Sequence, residues 1–345
     1  MTLPHTPPAR QYSASDLARD TLSDKWDAAK REAEYVSWMY AAHPDERIRK
    51  WGARIASCAS LITYEWMPPR DGGRWRRRLV STRLCRVRTC PICRWRRSLQ
   101  LQADTLDTVR RLTADGSLRP VLLTLTVRNP ELSELRDTLK AMTRAWSKLT
   151  RRIVWRGVAG WVRSIEITPG TISGHAHPHL HALLLVDESW TVEQMDRQLW
   201  SAEWRDVAAL NYEPVVDIRP ITSDGGVIEA LKYSVKPGDG SLDPQWLPAV
   251  ALAMDRVRLY ACGGVISVAE PVSEEEYETR EAGHEVDAPP AVPGHPHIRH
   301  GVQILYGWES SRRAYRRQSC IVYHPRHRVP PPYLRCAGVL LLRWR

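Results

Sequence analysis

The spacing of hydrophobic positions changes several times along this chain, and each change marks a different element. Leu17, Ala18, Leu22, Trp26 and Ala29 recur at helical spacing behind Ser15, which is suited to capping, so a helix is predicted over residues 14–42. An apolar, strand-like piece around Ile55 to Trp66 follows within 50–66. Val121-Leu122-Leu123-Thr124-Leu125-Thr126-Val127 is rich in strand formers and bounded by Pro120 and Asn129-Pro130. Leu132, Leu135, Leu139, Met142 and Trp146 form one stripe, which predicts a helix over 131–152 with acids near its start. Strands are predicted at 160–168, closed by Pro169-Gly170, and at 177–186. A helix at 191–210, a strand at 215–219, a short helix at 227–235 stopped by Pro237-Gly238 and a helix at 244–260 complete the pattern.

From residue 121 the order is therefore β-α-β-β-α-β-α. A Gly/Ser/His loop joins 160–168 to 177–186, so these two strands should form an antiparallel hairpin, and the other crossovers pass through helices. The expected fold class is α+β, a ferredoxin-like split βαβ antiparallel sheet. Helices are expected on one face of it, leaving the other free to carry a site. Five regions are expected: a helical N-terminus (1–50), an Arg- and Cys-rich segment (51–118), the sheet domain (119–262), a flexible acidic and Pro-rich linker (263–298) and a basic tail (299–345). Within the tail, Cys320, His324, His327 and Cys336 have the order of a metal set, but their spacing matches no common pattern.

Charge narrows the choice of partner. The chain has 345 residues and a formal net charge of +11, most of it from Arg. Arg binds phosphate bidentately and stacks on bases, so a polyanion is the natural partner. Arg70 to Arg97 is the most charged segment, with eleven Arg against a single Asp, Asp71. No apolar run approaches the ~20 residues that span a bilayer. Met1 to Arg10 lacks a signal-peptide core, so no membrane partner and an intracellular, cytoplasmic protein are expected. Seven cysteines, three of them clustered at ligand spacing, suit a reducing compartment and a metal better than a disulfide framework.

Three constellations carry candidate chemistry. His177, His179 and His181 alternate along an apolar run, so they share one strand face at intervals of roughly 6.5 Å. Imidazoles so spaced can converge on a divalent cation, and Glu166, in the neighbouring strand, can complete the set; Mn²⁺ or Mg²⁺ suits such donors. Cys85, Cys90 and Cys93, with Cys58 earlier, have the spacing of a closed structural Zn²⁺ site. Such a knuckle would hold Arg86, Arg88, Arg94, Arg96 and Arg97 against DNA phosphates. Finally, Glu229, Tyr233 and Lys236 follow one another at i, i+4 and i+7 on one helix face. A lysine lowers the pKa of a nearby phenol, and a carboxylate can accept a proton.

Taken in order, Leu123-Thr124-Leu125-Thr126, His177-Pro178-His179-Leu180-His181 and Lys232-Tyr233-Ser234-Val235-Lys236 resemble the three motifs of rolling-circle plasmid replication initiators. These are the single-tyrosine Rep proteins of Gram-positive plasmids, within the HUH endonuclease superfamily. Cys85 to Cys93 followed by Trp95-Arg96-Arg97, and Arg163-Ser164-Ile165-Glu166, also resemble that family, and the likeness covers roughly residues 50–240. The resemblance implies that 119–262 is an HUH endonuclease domain. His179 and His181 would bind the metal with Glu166, and His177 would assist it or only hydrogen-bond. Tyr233 would be the nucleophile, Lys236 would orient the phosphate or the phenol, and Glu229 would activate water at termination. It further implies nicking of a plasmid origin at a single-stranded loop, a 5′-phosphotyrosyl link, and a 3′-hydroxyl used by a host polymerase alongside a host helicase.

Other readings fit parts of the pattern. The alternating histidines also resemble histidine-triad nucleotide hydrolases, in which a histidine is the nucleophile. Transposases and relaxases share the HUH chemistry. A zinc-dependent DNA-binding regulator would use the cysteines and the charge without cutting.

Overall fold

The computed structural model describes residues 24–67, 75–230, 243–266, 284–286 and 301–323. In chain order the elements are α1 (Asp24–Ala41), α2 (Glu46–Ala56), β1 (Leu61–Met67), β2 (Trp75–Thr82), α3 (Pro91–Leu112), β3 (Arg119–Thr126) and α4 (Leu135–Leu149). They continue with β4 (Val158–Pro169), β5 (Ala176–Val186), α5 (Arg197–Val207), β6 (Val216–Pro220), α6 (Asp224–Ala230), α7 (Trp246–Met254), β7 (Tyr260–Gly264), β8 (His284–Val286), β9 (Gly301–Glu309) and β10 (Ala314–Tyr323). They fall into two compact units. One draws on Met1–Glu32, Ser57–Cys85 and Pro271–Arg345, the other on Ala33–Ala56 and Arg86–Glu270.

The first unit is built on an antiparallel sheet of order β10-β9-β1-β2-β8. Its interior is aromatic with polar tips satisfied. The indole of Trp26 donates to the Tyr64 hydroxyl at 3.0 Å, and the Tyr315 hydroxyl donates to the carbonyl of Ala59 at 2.5 Å. The buried Lys30 ammonium donates to the carbonyl of Cys58 at 2.7 Å.

The second unit carries an antiparallel sheet of order β6-β3-β5-β4-β7. The expected α+β class with an antiparallel sheet is therefore correct, and β4 and β5 form the expected hairpin. β5 is central and apolar from Leu180 to Val186, every residue of which is buried except for a sliver of His181. Pro178 is tolerated within this strand because β5 first pairs with β3 at His179↔Thr126, so at Pro178 it has a neighbour strand on one side only.

Four expectations are corrected. Ile55 belongs to helix α2, not to a strand: Ile48, Gly52 and Ile55 are its buried residues, at i, i+4 and i+7. The helix expected over 191–210 is a 3₁₀ turn at Val192–Met195 followed by α5, because Asp196 caps a new helix through Gln198 N–H at 2.8 Å. The helix expected over 244–260 ends at Met254, since Tyr260 to Gly264 pairs with β4 as a fifth strand. Lastly, helices cover both faces of the sheet. α4 sets Trp146 edge-on against Trp161 on one face, with ring centroids 5.1 Å apart. On the other face, Leu101 and Val109 of α3 and Val227 of α6 join Leu122, Val162, Leu183 and Leu185 in one buried cluster.

Candidate metal centre

The face that carries this buried cluster changes character along the strands. Leu183 lies opposite Leu122 and Val162, then His181 lies opposite Thr124 and Ser164, and His179 opposite Thr126 and Glu166. Directly opposed residues share a face, so the apolar row under α3 and α6 passes within two residues into a polar one. The strand alternation thus places the imidazoles and the carboxylate together without any loop being involved.

The polar row converges tightly. Glu166 Oε2 lies 2.9 Å from His179 Nε2 and 3.1 Å from His181 Nε2, with the glutamate only 2 % exposed. One ligand atom from each of the three residues can be chosen so that all lie within 4.8 Å of one another. Burial raises the pKa of the Glu166 carboxyl, but the hydrogen bonds from His179 and then His181 outweigh it and hold the group well below the usual carboxylate range. Two ring nitrogens and one anionic oxygen, converging from rigid strands, fit a divalent cation such as Mn²⁺ or Mg²⁺.

The far side of His181 is held as well. Its Nδ1 lies 3.1 Å from the Thr124 hydroxyl, which can donate to it or accept from it as the tautomer requires. A cation on Nε2 requires the proton on Nδ1, and Thr124 then accepts it. His179 Nδ1 is buried with no hydrogen-bond partner among the described residues, so the two imidazoles are supported unequally. His177 stands apart from the trio: its Nδ1 meets Asn129 Oδ1 at 2.6 Å. Burial, and next the neighbouring His179, lower its pKa and favour a neutral ring.

Thr124 and Asn129 were missed as site residues. Thr124 was legible as a polar residue alternating with leucines in a strand, but its partner depends on the β3–β5 register. Asn129 read only as part of a strand-ending Asn-Pro pair.

The remaining candidates divide. Glu229 falls on α6, the helix whose Val227 packs on the histidine-bearing face, while Tyr233 and Lys236 lie outside the described residues. Of the four cysteines, Cys58 and Cys85 belong to the first unit and Cys90 and Cys93 to the second. The backbone N–H of Cys85 donates to Cys58 Sγ at 3.4 Å and that of Arg86 to Cys93 Sγ at 3.3 Å, which favours thiolates. Arg86 takes a left-handed backbone (φ 58°) to do so.

Among the arginines of that segment, Arg94 and Arg96 are buried, and Arg88 donates to the carbonyls of Met254 and Val257 at 2.8 and 2.6 Å. Arg88 thus braces the fold and Arg94 and Arg96 are withdrawn from solvent, whereas Arg86 is exposed and Arg97 half-buried. Of the tail set, Cys320 is buried in β10, and its three companions lie outside the described residues. No helix among the described residues is long and apolar enough to cross a membrane.

An α+β unit with helices on both faces of its sheet, presenting two imidazoles and a carboxylate on one of them, is a candidate metal-binding protein. The model of the family described as Replication protein matches residues 76–316, and the chain belongs to that family, in line with the likeness of its motifs to rolling-circle plasmid initiators. Protein rep of Streptococcus pneumoniae serotype 2 is 30% identical over 195 residues, 53% of this chain and 59% of that one. Protein rep of Bacillus amyloliquefaciens is 30% identical over 240 residues, 62% of this chain and 69% of that one. Protein rep of Lentilactobacillus hilgardii is 30% identical over 241 residues, covering 65% and 73%. The chain thus spans between 59% and 73% of these relatives' lengths. No solved structure matches.

Proposed function

We propose that this protein initiates plasmid rolling-circle replication by nicking one DNA strand at the double-strand origin, through a ferredoxin-like domain of the HUH type. The strand order β6-β3-β5-β4, with β5 inserted between β3 and β4 and helices making the crossovers, supports that domain assignment. The observation that carries the functional reading is Glu166 Oε2 lying between His179 Nε2 and His181 Nε2, on the face that α6 approaches.

A divalent cation bound there would polarise a non-bridging oxygen of the scissile phosphodiester. The Tyr233 hydroxyl attacks phosphorus, the P–O3′ bond breaks, and the 5′-phosphate stays on the tyrosine while the freed 3′-oxygen takes a proton and serves as primer. Lys236 stabilises the phenolate form of Tyr233. In the second cleavage Glu229 accepts a proton from water, and hydrolysis replaces a second covalent link. Thr124 keeps His181 in the ligand tautomer throughout.

On their sequence spacing, four thiolates at Cys58, Cys85, Cys90 and Cys93 would hold a structural Zn²⁺, and Arg86 and Arg97 contact DNA phosphates. The action belongs to the bacterial cytoplasm, with a host helicase and polymerase as partners.

The test is nicking of a supercoiled plasmid that carries its own origin. Tyr233→Phe should bind the DNA and leave it uncut, and mass spectrometry of the wild-type adduct should place the phosphate on Tyr233. An adduct on a histidine, or persistent nicking by the phenylalanine variant, overturns the mechanism.

A further inference from the structure

β3 leaves the sheet at Thr126, and the next residues tie the candidate metal centre to its surroundings. The Thr126 hydroxyl donates to the carbonyl of Val215 at 2.8 Å, the backbone N–H of Arg128 donates to the Tyr212 hydroxyl at 2.6 Å, and Asn129 holds His177. The Arg128 guanidinium sits over the Tyr212 ring, 4.4 Å from its centroid. Tyr212 therefore fixes Arg128 at two points, its backbone through the hydroxyl and its side chain through the ring.

Charge sets Arg128 apart from its neighbours. Arg197 pairs with Asp217 at 2.8 Å, Arg219 with the same carboxylate at 3.5 Å, and Arg205 with Glu213 at 3.0 Å. Arg128 is exposed, and among the described residues no carboxylate pairs with it. An unneutralised guanidinium held on an aromatic ring loses little freedom when it binds, and its planar fork matches the two oxygens of a phosphate. A carboxylate partner would have been the simpler way to steady a merely structural arginine here.

We infer that Arg128, stacked on Tyr212, grips the backbone phosphate of single-stranded DNA next to the scissile one and so sets the strand across the metal centre. The inference rests on the nicking reading above, since the strand in question is the one to be cut. Arg128 is a positioning residue: Thr126, two residues before it, opposes His179, and Asn129, directly after it, holds His177. Neither Arg128 nor Tyr212 supplies a cation ligand.

The full chain, loaded with Mn²⁺, can be titrated with fluorescent oligothymidine across a salt series. Arg128→Ala should weaken binding about tenfold and lower the slope of log affinity against log salt by ~0.7, the share of one phosphate contact on a single strand. Mn²⁺ affinity should not change. Arg128→Lys should restore the slope but not the whole affinity. Tyr212→Leu, which keeps the charge and removes its support, should weaken binding with the slope kept. In nicking assays Arg128→Ala should raise KM for the origin strand far more than it lowers kcat. Unchanged affinity and slope in Arg128→Ala overturn the clamp, as does an equal loss of Mn²⁺ affinity. Arg128-dependent binding by a wild-type protein that never forms a covalent adduct would overturn the nicking reading alone.

Discussion

The two halves of β5 face the same way and are built for opposite ends. Leu183 and Leu185 lie under α3 and α6 in a dry cluster with Leu122, Val162 and Val227, while His179 and His181, one step along the same face, meet Glu166, Thr124 and Thr126. The apolar half supplies stability, at ~1.5–3 kcal/mol for each large aliphatic side chain removed from water. The polar half supplies none of comparable size, because an ionised carboxylate and two imidazoles are costly to bury and their hydrogen bonds go to offset that cost. What the comparison teaches is a division of labour: the leucines hold rigid the strand from which the imidazoles project.

Substitutions in each half should therefore change different observables. The largest effect is expected from His179→Ala, which removes one of two nitrogen ligands. Nicking should fall by ~10³-fold or more, as for loss of a catalytic metal's main contribution, while the thermal midpoint moves little. A nickase that works normally without His179 would detach the trio from function. The converse variant is Leu183→Ala. It should lose ~2–5 kcal/mol of stability by chemical denaturation, with the Mn²⁺ affinity of the folded fraction retained. If Leu183→Ala instead spares stability and loosens Mn²⁺ binding, the two halves are not separate.

The same division explains what could be read from the sequence. The alternation of His177, His179 and His181 ahead of a leucine run revealed the strand, the shared face and the boundary between halves, since strand periodicity is local. Glu166 was legible through the short hairpin that joins its strand to the histidines. The fifth strand, Tyr260–Gly264, was not, because its pairing with β4 is long-range and its residues carry no strong strand pattern. The covering of the histidine-bearing face by α3 was hidden for a similar reason: Leu101 and Val109 lie in an Arg-rich stretch whose charge dominated the reading. The fate of Arg88, Arg94 and Arg96 was lost with it, since sequence does not distinguish a guanidinium that is buried or braces carbonyls from one that meets phosphate.

A smaller effect probes how the polar half is organised. Thr124→Val keeps shape but removes the hydroxyl that meets His181 Nδ1. Loss of such an outer partner costs ~10–100-fold in metal affinity, so Mn²⁺ titration by calorimetry should show a drop of that size, and Thr124→Ser should recover most of it. An unchanged affinity in Thr124→Val would mean that the β5 scaffold alone orients His181.

The smallest effect concerns the boundary of the trio. Asn129 Oδ1 is 2.6 Å from His177 Nδ1, and accepting that proton leaves Nε2 as the ring's free lone pair. If His177 were a third nitrogen ligand, Asn129 would be its outer partner, and Asn129→Ala should cost as much metal affinity as Thr124→Val. The geometry favours the other outcome, because His177 lies beyond the trio whose donor atoms gather within 4.8 Å, and its ring stands 5.0 Å from that of His179. Asn129→Ala should then change Mn²⁺ affinity by less than ~3-fold, below the range for an outer partner of a ligand, and lower nicking by a similarly small factor. Measured side by side, the two variants decide whether the polar half of β5 ends at His179 or extends one residue pair further along the strand.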